Sequence, residues 1–201
     1  MSNLHIVAVV GSLRRGSHTR KALEIALDEV RRHGEVTVDV IDPAELPLAL
    51  PGQAGAPDLQ EILLRRLQPA TGVILSTPEY HGSYSSVLKL LIDNMGYPSV
   101  LAGKHVALLG VAAGSIGAVK SLEHLRGVCA HVGAVVLPFP VSVANVDVVF
   151  DSAGRCQDAA VERQIRTVAA RLMEYIRHHV LPPWSLEAAL KAEADDGGAI
   201  L

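Results

Sequence analysis

Short, continuous apolar runs alternate with amphipathic segments along most of this chain, a pattern that restricts it to a parallel β-sheet covered on both faces by helices. The apolar runs predict strands near 4–10, 35–41, 72–77, 105–111 and 134–143. Helical periodicity falls between them, near 19–33, 58–68, 84–95 and 117–132. A last helix is expected near 158–180, where Val161, Ile165, Val168, Leu172, Ile176 and Val180 recur at helical spacing. Aromatic residues make up only 3% of the 201, so the core must be built from Val, Leu, Ile and Ala. At 49% hydrophobic content the length suits one domain, taken as 1–181, followed by a tail, 182–201. That tail opens on Pro182-Pro183-Trp184 and carries a short helical stretch at Leu186–Ala194. Asp42–Pro57, rich in Pro, Ala and Gly, reads as a surface loop.

Several function classes are disfavoured by composition. A formal net charge of −3 gives no basic footprint for nucleic acid or an anionic membrane surface. No run approaches the ~18 apolar residues of a membrane span, and the N-terminus does not read as a secretory signal, so a cytoplasmic protein is expected. Cys129 and Cys156 stand far apart and read as buried or incidental thiols. The nine histidines fall in no metal-ligand spacing, and adjacent His178 and His179 suit a helix C-terminus, so no metal is assigned. A Ser-His-Asp hydrolase is disfavoured because there is no GxSxG elbow.

The first strand runs directly into Gly11-Ser12-Leu13-Arg14-Arg15-Gly16-Ser17-His18-Thr19, a loop of small residues, hydroxyls and arginine that opens a helix. Unpaired N–H groups at a helix start, together with the helix dipole, form an anion site, and hydroxyls and guanidinium groups add donors. The loop therefore reads as a phosphate site. It lacks both the GxxxxGK[ST] of a P-loop and the GxGxxG of a dinucleotide site. Arg14 is expected at the phosphate, whereas Arg15 fits a solvated surface charge equally well. Ser12 and Ser17 can cap or turn the backbone and still meet an anion.

In a doubly wound sheet the ligand sits beyond the carboxyl ends of the strands, where the loops after strands one, three and four converge. The loop after the third strand contains Pro78, Glu79, Tyr80 and His81; the one after the fourth contains Ala113, Gly114, Ser115 and Ile116, small enough for a planar ligand to lie close. Tyr80 is expected to touch the ligand. His81 fits either a surface histidine or a flavin or substrate contact, and Glu79 reads as held for its backbone and a structural ion pair. A phosphate loop with two such walls suits FMN.

At these residues the chain resembles the NADPH-dependent FMN reductase family, flavodoxin-like enzymes that include flavin, quinone, azo-dye and chromate reductases. The resemblance rests on Gly11-Ser12-Leu13-Arg14 with Ser17, Thr77-Pro78-Glu79-Tyr80 with Ser83 and Val87-Leu88-Lys89, Gly114 to Gly117, and Phe150-Asp151 with Gly154-Arg155. It implies a three-layer sandwich with five parallel strands in the order 2-1-3-4-5. It further implies that Ser12, Arg14, Ser17, His18 and Thr19 surround the FMN phosphate, while Pro78–His81 and Ala113–Ile116 border the ribityl chain and isoalloxazine. The implied reaction moves a hydride from NADPH or NADH to flavin and then electrons to a small-molecule acceptor, with backbone N–H groups of 79–81 or 114–117 as donors and no acid–base catalyst. A homodimer or homotetramer is implied as well. The chain departs from many relatives at Thr19 and His81, where they carry Asn, and around the third helix, where Leu90 and Asn94 stand in place of their Asn and Trp. The alternative function, a non-enzymatic flavodoxin-like FMN carrier, is disfavoured by the mild charge, since carriers are usually strongly acidic.

Overall fold

The computed structural model describes residues 4–180, so the tail helix expected at Leu186–Ala194 and the domain boundary at 181–182 lie outside the described residues. Five parallel elements form the frame: β1 (Leu4–Val9), β2 (Val36–Ile41), β3 (Gly72–Tyr80), β5 (His105–Val111) and a fifth position shared by β6 (Val135–Val136) and β7 (Val141–Val143). The sheet order is β2-β1-β3-β5-β6, with β7 also paired to β5, which is the 2-1-3-4-5 arrangement. β3 and β5 pair along their length from Gly72 opposite His105 to Pro78 opposite Val111.

Alternate residues of each strand serve opposite faces, because side chains on a strand point to alternate sides. Ile6 and Ala8 of β1 join Ile74 and Leu109 in a core covered by α1 (His18–Arg31) and α6 (Ala159–His179). Val7 and Val9 join Val73, Leu75, Val106 and Leu108 under α2 (Leu59–Leu67), α3 (Ser86–Asp93) and α4 (Val119–His131). Both cores are aliphatic, as a chain poor in aromatics requires. The apolar residues of α3, Leu88, Leu91 and Ile92, are buried in the second of them.

Three departures from the sequence reading have physical causes. The fifth strand, expected as one run over 134–143, breaks at Leu137–Pro140: Pro138 and Pro140 have no N–H to give a ladder, and Phe139 between them takes φ +61°. β3 continues to Tyr80 and turns back as β4 (Ser83–Tyr84), so the helix expected from 84 begins only at Ser86, capped by Ser85. A short helix, α5 (Val146–Val149), follows β7 where none was expected. The Asp42–Pro57 loop opens with one 3-10 turn, Pro43–Glu45, whose Ala44 N–H donates to the Asp42 carboxylate at 2.9 Å.

Candidate functional site

The carboxyl ends of β1 and β3 are fastened by buried hydroxyls. Ser76 Oγ donates to the Val9 carbonyl at 2.6 Å, and Ser85 Oγ donates to the Gly11 carbonyl at 2.6 Å. Thr77 Oγ1 accepts from the Ser85 N–H at 3.0 Å. Gly11 lies so close to β3 that a Cβ built on it would stand 2.0 Å from the Ser76 carbonyl oxygen, which is why only glycine fits. Ser12 is buried behind this junction, and its Oγ accepts from the Arg14 N–H at 3.3 Å, which sets the path of the loop.

From there the loop climbs to α1. Ser17 is the N-cap, its hydroxyl oxygen accepting from the Arg20 N–H at 3.3 Å. Among the described residues, the N–H groups of Gly16, His18 and Thr19 have no protein acceptor, as expected for the first turn of a helix. Thr19 is buried except where it lines a cleft of about 450 Å³. That cleft is bounded by Arg14, Arg15, Gly16, Ser17, His18 and Thr19 at one end, by Pro78, Glu79 and Tyr80 from β3, and by Val111, Ala112 and Ala113 after β5. Val146 and Asp147 of α5 close it.

The side chains in the cleft are held by one another. The Arg14 guanidinium lies over the Tyr80 ring, 5.3 Å from its centre. The Glu79 carboxylate accepts from the Ser121 N–H at 3.1 Å, capping α4 from a neighbouring strand, since the N-cap Ala118 has no side-chain oxygen. Its structural partner is therefore a helix start and not a cation. The His18 ring stacks on Phe150, 5.7 Å between centres at 14°. Its Nδ1 lies 3.4 Å from Asp147 Oδ1. Burial, and next the Lys21 charge, hold the His18 pKa below the ordinary 6.5, with Asp147 pulling the other way.

Of the residues singled out from the sequence, Arg14, Ser17, His18, Thr19, Pro78, Glu79, Tyr80 and Ala113 line this one cleft. Ser12, His81, Gly114, Ser115 and Ile116 are not among its lining residues. His81, at φ +50°, and Gly82, at φ +74°, form the two-residue turn between β3 and β4, so His81 stands at the exposed tip of a hairpin. Gly114–Ile116 form an outward turn closed by the Gly117 N–H on the Gly114 carbonyl at 3.2 Å, with Ile116 82% exposed. Arg15, left open between surface and site, faces the cleft. Asp147 and Val146 were missed; the signal that could have found them is that the loop after the fifth strand also ends at the carboxyl edge of the sheet.

A second hollow, about 680 Å³, lies between the β6–β7 break and the end of α6. It is lined by Leu137, Phe139, Tyr175 and His178 among others, and its Arg171 is spread over the Phe139 ring. Its cations and rings come from side chains of α6 and the β6–β7 break, whereas the 450 Å³ cleft sets first-turn N–H groups of a helix beside flat, apolar walls. Among the described residues no group of three or more His, Cys, Asp or Glu could hold a metal, and no helix is long and apolar enough to cross a membrane.

Residues 4–147 match the family model described as NADPH-dependent FMN reductase. A 2-hydroxy-1,4-benzoquinone reductase from Burkholderia sp is 30% identical over 179 residues, covering 87% of this chain and 97% of that protein. An FMN-dependent NADPH-azoreductase from Staphylococcus haemolyticus is 31% identical over 148 residues, 69% of this chain and 76% of the relative. Among solved structures, the flavoenzyme NAD(P)H:(acceptor) oxidoreductase FerB from Paracoccus denitrificans superposes with a TM-score of 0.72 at 24% identity, over 88% of this chain and 98% of that one. An archaeal flavodoxin shares the fold at a TM-score of 0.61 and 13% identity. The chain belongs to the NADPH-dependent FMN reductase family.

Proposed function

We propose that this protein is an NAD(P)H-dependent flavin oxidoreductase that holds FMN in the 450 Å³ cleft with the phosphate at the start of α1. The observation that carries the reading is that Arg14 and Arg15 line the same cleft as the first turn of α1, whose first N–H groups have no protein acceptor among the described residues. This donor set fits a phosphate monoester. Above it, the Tyr80 ring and the backbone of Pro78–Glu79 and Ala112–Ala113 form walls that a flat ring system can lie between.

FMN, when bound, supplies the chemistry, taking a hydride from a nicotinamide nucleotide and passing electrons to an acceptor. What the chain supplies is position and charge. Arg14, braced on Tyr80, and the α1 N-terminus fix the phosphate. Of the main-chain stretches expected to supply donors to an electron-rich flavin edge, Glu79 and Tyr80 line the cleft, whereas His81 and Gly114–Ile116 do not and the Gly117 N–H is taken by the Gly114 carbonyl. Glu79 is committed to capping α4 and serves as structure, not as an acid.

The acceptor is a small molecule, and relatives named as quinone and azo-dye reductases mark the class of compound to try first. A homodimer or homotetramer remains our inference from the family; the apolar face of α3 offers no support, because the protomer buries it in its own core. Two free cysteines accord with a reducing compartment such as the cytoplasm. The test is to load the protein with FMN, remove oxygen, and follow visible flavin absorption after mixing with NADPH and, separately, NADH. Rapid bleaching establishes the reductase and its donor. Bound FMN that stays oxidised favours a carrier, and failure to bind FMN removes the cleft from consideration.

A further inference from the structure

The cleft that gathers two arginines and a helix start also contains an acid that nothing in the fold requires. Asp147 stands on α5 with its side chain 69% exposed, and its Oδ1 is 3.4 Å from Nδ1 of His18, the first residue of α1. Among the described residues His18 is its only ion-pair partner. The other carboxylate of the cleft, Glu79, is spent on the α4 N-terminus. The position of Asp147 is fixed, because the Asn145 N–H reaches the Gly114 carbonyl at 3.3 Å and the Val146 N–H reaches the Ala112 carbonyl at 3.2 Å. The His18 ring is likewise fixed, by its stacking on Phe150.

We propose that Asp147 sets how tightly the cleft holds a phosphate-bearing flavin, its carboxylate opposing the phosphate at the α1 N-terminus so that the flavin exchanges instead of being locked in. The proposal rests on the assignment of that end of the cleft to phosphate. A carboxylate lining the same partly solvated cleft as a phosphate dianion raises its dissociation constant roughly fivefold or more. His18 does not cancel it at neutral pH, since burial favours the uncharged imidazole. The other charge acting on the ring is Lys21 on α1, whose Nζ donates to the Asp151 carbonyl at 3.4 Å. Arg14 and Arg15 line the cleft and attract the phosphate, and Asp147 is the counterweight. An enzyme that treats FMN as an exchanging ligand needs such a limit on affinity, and a neutral residue at 147 would remove it.

FMN and riboflavin, which differ by the phosphate alone, are titrated into full-length wild type, Asp147→Asn, Asp147→Glu and Arg14→Ala at pH 8 and low salt, with flavin fluorescence as the readout. The proposal expects Asp147→Asn to bind FMN roughly fivefold more tightly or better and to release it correspondingly more slowly, with riboflavin unchanged. It expects Asp147→Glu to stay near wild type, because the charge is kept. An FMN affinity that is unchanged or weaker in Asp147→Asn overturns it, as does an equal gain for riboflavin, or a gain in Asp147→Glu that matches Asp147→Asn. The assignment of the phosphate end is read separately from Arg14→Ala. If that variant keeps the wild-type preference for FMN over riboflavin, the assignment itself is wrong, whatever Asp147→Asn does.

Discussion

The two walls of the cleft are built by different means. On the side of the β1–α1 loop and β3, three buried side-chain hydrogen bonds, from Ser76, Ser85 and to Thr77, knit three elements together at 2.6–3.0 Å. On the side of the β5–α4 turn and α5, the links are mostly main-chain bonds between loops, with one hydroxyl, Ser142 Oγ, accepting from the Ala118 N–H at 2.8 Å, and side chains stand out, Ile116 at 82% and Val148 at 79% exposed. A buried hydroxyl network tolerates little change, because any member left unpaired keeps its desolvation cost. An exposed turn tolerates much more. The end of the cleft at the start of α1, where we propose the phosphate sits, is thus the rigid part, and the opposite wall is the one open to change.

Two glycines, one from each wall, give the largest expected contrast. In Gly11→Ala the new methyl would lie 2.0 Å from the Ser76 carbonyl oxygen and 3.0 Å from Thr77 Cα, and neither strand can yield without breaking its ladder. A loss on the order of 3 kcal/mol in denaturant unfolding is expected. At Gly114, on the open wall, a Cβ meets nothing within 4 Å, and Gly114→Ala should change stability by no more than ~0.5 kcal/mol. Equal losses at the two positions would erase the distinction between the walls.

Next in size is Arg14→Ala. Removing a charge-assisted bond to the phosphate should cost about 1.5–3 kcal/mol in FMN binding, read as a rise in dissociation constant, with riboflavin affected much less. An unchanged FMN dissociation constant would take the phosphate away from the rigid wall. Glu79→Ala comes third. It leaves the first turn of α4 without its carboxylate and should lower stability by about 1 kcal/mol, seen as a lower unfolding midpoint, while FMN-loaded protein still bleaches with NAD(P)H. Loss of bleaching in a folded Glu79→Ala would make Glu79 a participant in the reaction.

How much of this could be read from the sequence follows the same division. The strands were legible because each is a largely continuous apolar run and each helix shows its own period, and their order because the chain resembles a family built in that order. The β1–α1 loop was legible as a candidate anion site because a helix start is a local feature: the small residues, hydroxyls and arginines that make it lie within nine positions of each other. The opposite wall depends on what topology brings together. Asp147 reaches His18 across 129 positions of chain through the placement of α5 beside α1, and no local pattern announces it. The β3–β4 hairpin was hidden for another reason. His81-Gly82 does not have the Asn-Gly that ordinarily signals a two-residue turn, so the segment read as an open loop running into a helix.

That hairpin supplies the smallest prediction. A two-residue turn with both residues at positive φ is a type I′ turn, and Gly82 meets that demand at no cost because it has no Cβ. His81 does carry a Cβ, and holding it at φ +50° stores strain that Asn tolerates better than most residues. His81→Asn should therefore stabilise the protein by about 0.5 kcal/mol, a rise of ~1–2 °C in the unfolding midpoint. His81 lies at the tip of the turn and outside the cleft lining, so the substitution should leave FMN affinity as it was. The two readouts are independent. A more stable protein with unchanged flavin binding places His81 in the turn alone, whereas a fall in FMN affinity would mean that the hairpin folds over the bound flavin and extends the rigid wall by one residue.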